Sequence, residues 1–233
     1  MRIIALHGSM SNAAQWQDYP SLLGGVPVVA PDLPGHGARL DEPFTIRGVV
    51  QTIEDAAVGA REIVLVGHSL GGYLAYGYAA THPEKVSGLV LIGASANPRG
   101  VLASGYRAFA QLSQRLPREH FVTARNALVT RMGLPDSMQV PPEAYDDLPE
   151  AWSLLQRSCP QRLLAHVNCP LMFINGQFDQ RRIGERRARR LAGGAPLRII
   201  PGASHLAPLT HPRLVAEEIR AFIRRLDRRR ASA

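Results

Sequence analysis

Cysteine is scarce, with two in 233 residues. Cys159 and Cys169 stand ten positions apart, each before a proline, without the spacing of a metal site or a disulfide framework, so free, inert thiols are expected. No apolar run approaches the length of a membrane span. Met1-Arg2 leads directly into Ile3-Ile4-Ala5-Leu6-His7-Gly8, too short for a signal-peptide core and lacking a usual cleavage site, so a cytoplasmic location is expected. Lysine is almost missing: Lys85 stands alone, and arginine supplies the rest of the positive charge behind the formal +8. The clusters Arg181-Arg182, Arg186-Arg187, Arg189-Arg190 and those within 224 to 230 read as solvated helix faces. No nucleic-acid-binding module accompanies them, which argues against a nucleic-acid partner, while the positive balance suits acidic substrates or surfaces. Internal repeats and low-complexity segments are also absent.

What is present is the composition of a soluble globular chain, 45% hydrophobic and 20% charged, long enough for one substantial core. Short apolar runs at 2–6, 26–30, 62–67 and 86–92 alternate with helical stretches at 13–23, 46–59 and 70–82. Continuous apolar strands separated by helices argue for an α/β fold with a mostly parallel sheet covered on both faces. Between about 94 and 167 the alternation stops. Helical pieces at 101–116, 119–131 and 150–164 are separated by Pro117, Pro135 and Pro141-Pro142, as in an inserted helical lid. Strands resume at 171–175 and 197–200, with an arginine-rich helix to about Ala192 between them. An amphipathic helix over 212–226 closes the chain, with Leu214, Ile219, Phe222, Ile223 and Leu226 at helical spacing. The expectation is one domain over 1–233 with a lid inserted at about 94–167.

The most informative stretch is Ile63-Val64-Leu65-Val66-Gly67-His68-Ser69-Leu70-Gly71-Gly72, a buried strand that turns abruptly into a helix at Ser69. Glycines two before and two after the serine permit a turn too tight for side chains at those positions. Ligands of such sheets bind at the carboxyl ends of the strands. There, Ser69, Asp179 and His205 follow three different predicted strands, in the order Ser, Asp, His. A serine hydroxyl needs a base within hydrogen-bond reach to become a nucleophile, and His205 is the candidate. Asp179 would orient and stabilise the imidazole, although its position also suits a helix N-cap. Asp32 is the competing acid. The backbone N–H of Leu70, at the helix N-terminus just after the serine, is placed to stabilise an oxyanion.

Five segments together carry a resemblance to the α/β-hydrolase family: His7-Gly8 with Trp16 eight positions after the glycine, Asp32-Leu33-Pro34-Gly35-His36-Gly37, Gly67-His68-Ser69-Leu70-Gly71-Gly72, Gly176-Gln177-Phe178-Asp179, and Pro201-Gly202-Ala203-Ser204-His205. They extend over nearly the whole chain apart from the lid. The resemblance implies the fold, the Ser69–His205–Asp179 triad, a lid after the sixth family strand, and a second oxyanion donor at the Ser9 N–H, with Met10 as the alternative. It also disfavours Asp32, whose loop supplies no triad member in that family. The family's two strands before the His-Gly motif have no counterpart here, so a sheet of about six strands is expected. His7, His36 and His68 are assigned to shaping these loops.

The implied activity is hydrolysis of a small carboxylic ester through an acyl-enzyme, with no metal or organic cofactor and a small-molecule ester or related acyl substrate as the partner. Thioesterase, lactonase, amidase or C–C bond hydrolase chemistry uses the same machinery, and a non-catalytic small-molecule receptor shares the fold. Met10, Tyr73, Phe109, Leu128 and Trp152 are the candidate lining of an apolar substrate pocket, with Met10 and Trp152 foremost. Oligomeric state is left open by the sequence.

Overall fold

The computed structural model describes residues 1–112 and 117–231, without the side chains of 101–104, 106 and 107. The last four residues of the helix expected at 101–116, and the final two of the chain, lie outside the described residues. Six strands form one sheet: β1 (Arg2–Leu6), β2 (Val28–Val29), β3 (Ile63–His68), β4 (Val86–Ile92), β5 (Leu171–Gly176) and β6 (Leu197–Ile200). Their order is β2-β1-β3-β4-β5-β6, and every pairing is parallel.

All six residues of β3 and of β5 are buried. This follows from the continuous apolar runs, because helices cover both faces and leave neither for polar side chains. Successive residues feed opposite layers. Ile4, Leu6, Leu65, Leu91 and Phe173 join the core beneath the helices α2 (Ile46–Ala57) and α3 (Leu70–Thr81). Ile3, Ala5, Val64, Val66, Val90 and Ile174 join the other core, with Trp16, Tyr19 and the terminal helix.

Proline explains where the elements fall short of the sequence pattern. The strand expected over 26–30 pairs only at Val28–Val29, since Pro27 and Pro31 beside it carry no N–H for the ladder. The helix expected over 13–23 divides into a 3₁₀ turn at Ala13–Trp16 and a single α-turn, α1 (Tyr19–Leu22), which begins around Pro20.

Between β4 and β5 lie α4 (Val101–Leu112), α5 (Arg118–Arg131) and α6 (Leu148–Ser158), with no strand among the described residues. The last helical stretch starts two residues before its expected position and stops before Pro160, beyond which Gln161–His166 is 3₁₀. After β5 the arginine-rich segment is a 3₁₀ turn at Gln180–Gly184 followed by α7 (Glu185–Leu191). A short turn, α8 (Ala207–Thr210), precedes α9 (Pro212–Ala231). Leu214 leaves the expected apolar stripe of α9: it is exposed, and Val215 takes the buried position. Among the described residues, no helix is long and apolar enough to cross a membrane.

Candidate active site

Between β3 and α3 the whole turn is one residue, Ser69, at φ 51° and ψ −115°. A non-glycine residue in this region stores strain that the surroundings must hold. They do so through backbone bonds. The Ser69 N–H donates to Ile92 O on β4 (2.9 Å), and the Gly71 N–H donates to His7 O at the end of β1 (3.1 Å). The glycines are there for clearance: a Cβ on Gly67 would meet Gly71 O at 2.4 Å, and one on Gly71 would meet Leu6 O at 2.4 Å.

The Ser69 hydroxyl, 4% exposed with its residue, lies 3.0 Å from His205 Nε2. On the far side of the ring, Nδ1 lies 3.1 Å from both carboxylate oxygens of Asp179. Asp179 Oδ1 also accepts the Arg181 N–H at 2.7 Å, so the carboxylate caps the following 3₁₀ turn while it holds the histidine. Burial works to raise the Asp179 pKa, but the hydrogen bond and charge of His205 outweigh it and leave the carboxyl below its ordinary value. The two loops are stitched together before their side chains meet: Gln177 N–H donates to Ile200 O and Phe178 N–H to Ala203 O.

Three further histidines brace these loops. His7 Nδ1 lies 2.8 Å from Gly8 O and its Nε2 accepts the Leu33 N–H at 3.0 Å, a pattern that requires a neutral ring. Burial, assisted by neighbouring His36, lowers its pKa to about 3. His36 lies 3.0 Å from Pro34 O, and burial lowers its pKa as well. His68 Nε2 lies 2.9 Å from His205 O, and burial followed by the charge of His205 lowers its pKa to about 3. Asp32 has other partners: its oxygens accept the N–H groups of Ala13 (2.6 Å) and Ala38 (2.8 Å).

Leu70 N–H takes no backbone acceptor among the described residues, whereas the N–H groups of Gly72 and Tyr73 turn back to Ser69 O. Ser9 lines the same cavity as Ser69, and next to it Met10 has φ 53°. The cavity measures about 280 Å³ and is walled mainly by Met10, Leu128, Val129, Met132, Leu206 and Leu209.

Of the side chains expected to line it, Met10 and Leu128 do so, and Trp152, Tyr73 and Phe109 do not. Trp152 is corrected from pocket wall to core. Its indole is buried, edge-on to Tyr73 at 6.3 Å and beneath the Arg181 guanidinium at 5.3 Å, because α6 turns its apolar face onto α3. Tyr73 donates its hydroxyl to Ala96 O, and Phe109 packs against Phe121.

Several residues at the site were not singled out from sequence, Gln15, Arg125 and Arg181 among them. Gln15 is buried, and its Oε1 accepts the Gly8 N–H (3.2 Å) and the Ser11 hydroxyl (3.3 Å) beside His68 Nδ1. The available signal was an amide between Ala14 and Trp16 in a segment expected to pack inward. Arg181 is buried as well, although its neighbours in sequence suggested a solvated run. Burial raises the pKa of Cys159 to about 12 and that of Cys169 to about 11, and both thiols are free. Among the described residues, no three His, Cys, Asp or Glu side chains group so as to hold a metal ion.

Comparison with known proteins gives this arrangement a context. A 2-succinyl-6-hydroxy-2,4-cyclohexadiene-1-carboxylate synthase from Serratia proteamaculans is 30% identical, over 95% of this chain and 92% of its own. A pimeloyl-[acyl-carrier protein] methyl ester esterase from Neisseria meningitidis is 31% identical over the same shares, 95% and 92%. The solved structure of a thermophilic esterase from Thermogutta terrifontis superposes with a TM-score of 0.78 at 24% identity, covering 97% of this chain and 90% of that one. The family model described as "Alpha/beta hydrolase family" matches residues 3–218. With that match spanning most of its length, the chain belongs to the alpha/beta hydrolase family.

Proposed function

We propose that this chain is a serine hydrolase that cleaves a small carboxylic ester through an acyl-enzyme. The observation that carries the reading is the unbroken line of hydrogen-bonding contacts from the Ser69 hydroxyl through both nitrogens of His205 to Asp179, with the serine held on a strained turn. Ser69 Oγ attacks the ester carbonyl while His205 Nε2 takes its proton, and Asp179 stabilises the imidazolium that forms. The oxyanion of the tetrahedral intermediate receives the N–H groups of Leu70 and Ser9. Oxyanion-hole donors of this kind are each worth about 10²- to 10³-fold in rate. Collapse breaks the bond to the alcohol, which leaves with the proton from His205. Water, deprotonated by the same nitrogen, then attacks the acyl-enzyme and releases the acid.

In this reading, the chain is a single domain and the helical segment between β4 and β5 is the lid. Leu128 and Val129 of α5, with Met132 just past its end, face the acyl or alcohol part of the substrate. Ester chemistry is favoured over the thioester, lactone and C–C alternatives by the 31%-identical relative that carries an esterase name. The test is labelling by a fluorophosphonate, followed by location of the adduct. Attachment to Ser69, together with ester hydrolysis that disappears in Ser69→Ala, is the expected result. A well-folded protein that takes no label would instead support a receptor.

A further inference from the structure

Many of the arginines lie on exposed helix faces, but Arg125 and Arg181 line the cavity that contains Ser69 and His205, and among the described residues no Asp or Glu lines it with them. Arg125 projects from α5 and is half-buried. Its guanidinium is fixed by three acceptors: Met10 O receives Nη2 at 2.9 Å, while Asn126 Oδ1 on the same helix (3.0 Å) and Met138 O receive Nη1. These acceptors are neutral, and among the described residues Arg125 forms no ion pair. Five N–H donors belong to a guanidinium, so these three bonds leave two. Burial lowers the pKa of Arg125, yet a guanidinium keeps its charge in a protein. A cation beside apolar walls, held in one orientation without a counter-ion, is costly unless a ligand supplies the anion.

Resting on the serine-hydrolase reading, we propose that this cavity selects an ester that carries one free carboxylate, with Arg125 as the counter-ion of that carboxylate. Two remaining donors in a rigid fork match the two oxygens of a carboxylate. A phosphate dianion would bring a second charge and more acceptors into a space of about 280 Å³ whose other walls are largely methionine, leucine and valine. Arg181 adds a second guanidinium to the cavity wall, from a buried position over Trp152. Because Arg125 grips the carbonyl of Met10, next to Ser9, a bound carboxylate is anchored to the loop proposed to hold the oxyanion.

The experiment compares monomethyl esters of the four- to seven-carbon dicarboxylic acids with their dimethyl esters and with methyl esters that end in a phosphate. The wild-type protein is expected to favour the monomethyl ester of the fitting length by at least about tenfold in kcat/KM, the scale of one charge-assisted bond. Arg125→Met should abolish that preference and Arg125→Lys should retain part of it. Damage to the loop alone would slow charged and neutral esters equally, and that result overturns the assignment. Equal rates on mono- and diesters in the wild type, or a stronger preference for the phosphate, overturn it too. Fluorophosphonate labelling of Ser69 reports separately on the hydrolase reading. Calorimetric binding of glutarate to wild type but not to Arg125→Met would support the cavity's preference without turnover, and no binding to either would count against it.

Discussion

The loops at the carboxyl ends of the strands and the helical segment between β4 and β5 meet at one cavity, but they are held by different means. Ser69 is fixed by its own N–H on Ile92 and by the Gly71 bond to His7, and Asp179 sits on a loop tied by Gln177 and Phe178 to the loop of His205. All these are main-chain bonds between neighbouring strands or their exits. The helical segment is attached mainly through side chains: Arg125 on Met10 O, Asn12 on Ser137 O, and Asp147 on the Phe44 N–H. A backbone-held geometry leaves side chains little freedom to alter it, whereas side-chain attachments change one residue at a time. On the proposed mechanism, reactivity belongs to the strand ends and selectivity to the helical segment.

Removing the proposed nucleophile tests the first half of that contrast most severely. Ser69→Ala should lower kcat/KM for a hydrolysed ester by about 10⁴- to 10⁶-fold with little change in melting temperature, and a variant within tenfold of wild type would refute the mechanism. Asp179→Asn should cost about 10⁴-fold, since an amide in that place favours the wrong imidazole tautomer. Its counterpart Asp32→Asn should leave the rate within a few-fold and instead cost about 1–3 kcal/mol of stability, measured by urea unfolding, because the amide keeps one acceptor oxygen and turns an NH2 donor toward the other backbone N–H. If Asp32→Asn proved the slower enzyme, the acid has been misassigned.

The backbone clearance can be tested without touching a reactive group. In Gly71→Ala the added carbon would lie 2.4 Å from Leu6 O, and a loss of about 3 kcal/mol in urea unfolding is expected as β1 and α3 are pushed apart. Acid should loosen the same region. His7 and His68 are neutral when folded, with pKa values near 3, but protonate near 6.5 when unfolded, so the unfolded chain binds more protons between those limits. Stability therefore falls as pH drops from about 6.5 toward 3, by roughly 1 kcal/mol per pH unit for each ring. Asp179 adds a further loss as pH falls through its depressed folded pKa. Urea midpoints across this range should show the slope, and His7→Asn should flatten it. The smallest effect belongs to the helical segment: Leu128→Ala should shift the preferred ester length with less than about a tenfold change in the best kcat/KM, the scale of one or two methylenes. A collapse of activity on every ester would erase the division of labour drawn above.

Much of the framework was legible because it depends on local pattern. The apolar runs of β3, β4 and β5 and the breakers around Ser69, Asp179 and His205 mark strand exits without reference to distant residues. Boundaries slipped where proline intervened, at β2 and α1, because one missing N–H matters more there than average propensity. Trp152 was misplaced for another reason. An aromatic in an amphipathic helix has the same pattern whether it faces a ligand or a neighbouring helix, and only the packing of α6 on α3 distinguishes the two.

By itself, then, the sequence determined the order of strands and helices and the serine, aspartate and histidine at three strand exits, since hydrophobic periodicity and turn chemistry act over a few residues. Tertiary structure alone decided that Asp32 caps Ala13 and Ala38, that Gln15 closes the gap between Gly8 and His68, that Arg125 reaches the cavity, and that Arg181 leaves the solvated run for it. Those choices depend on which distant segments arrive within hydrogen-bond reach, and that is settled only when both faces of the sheet are packed.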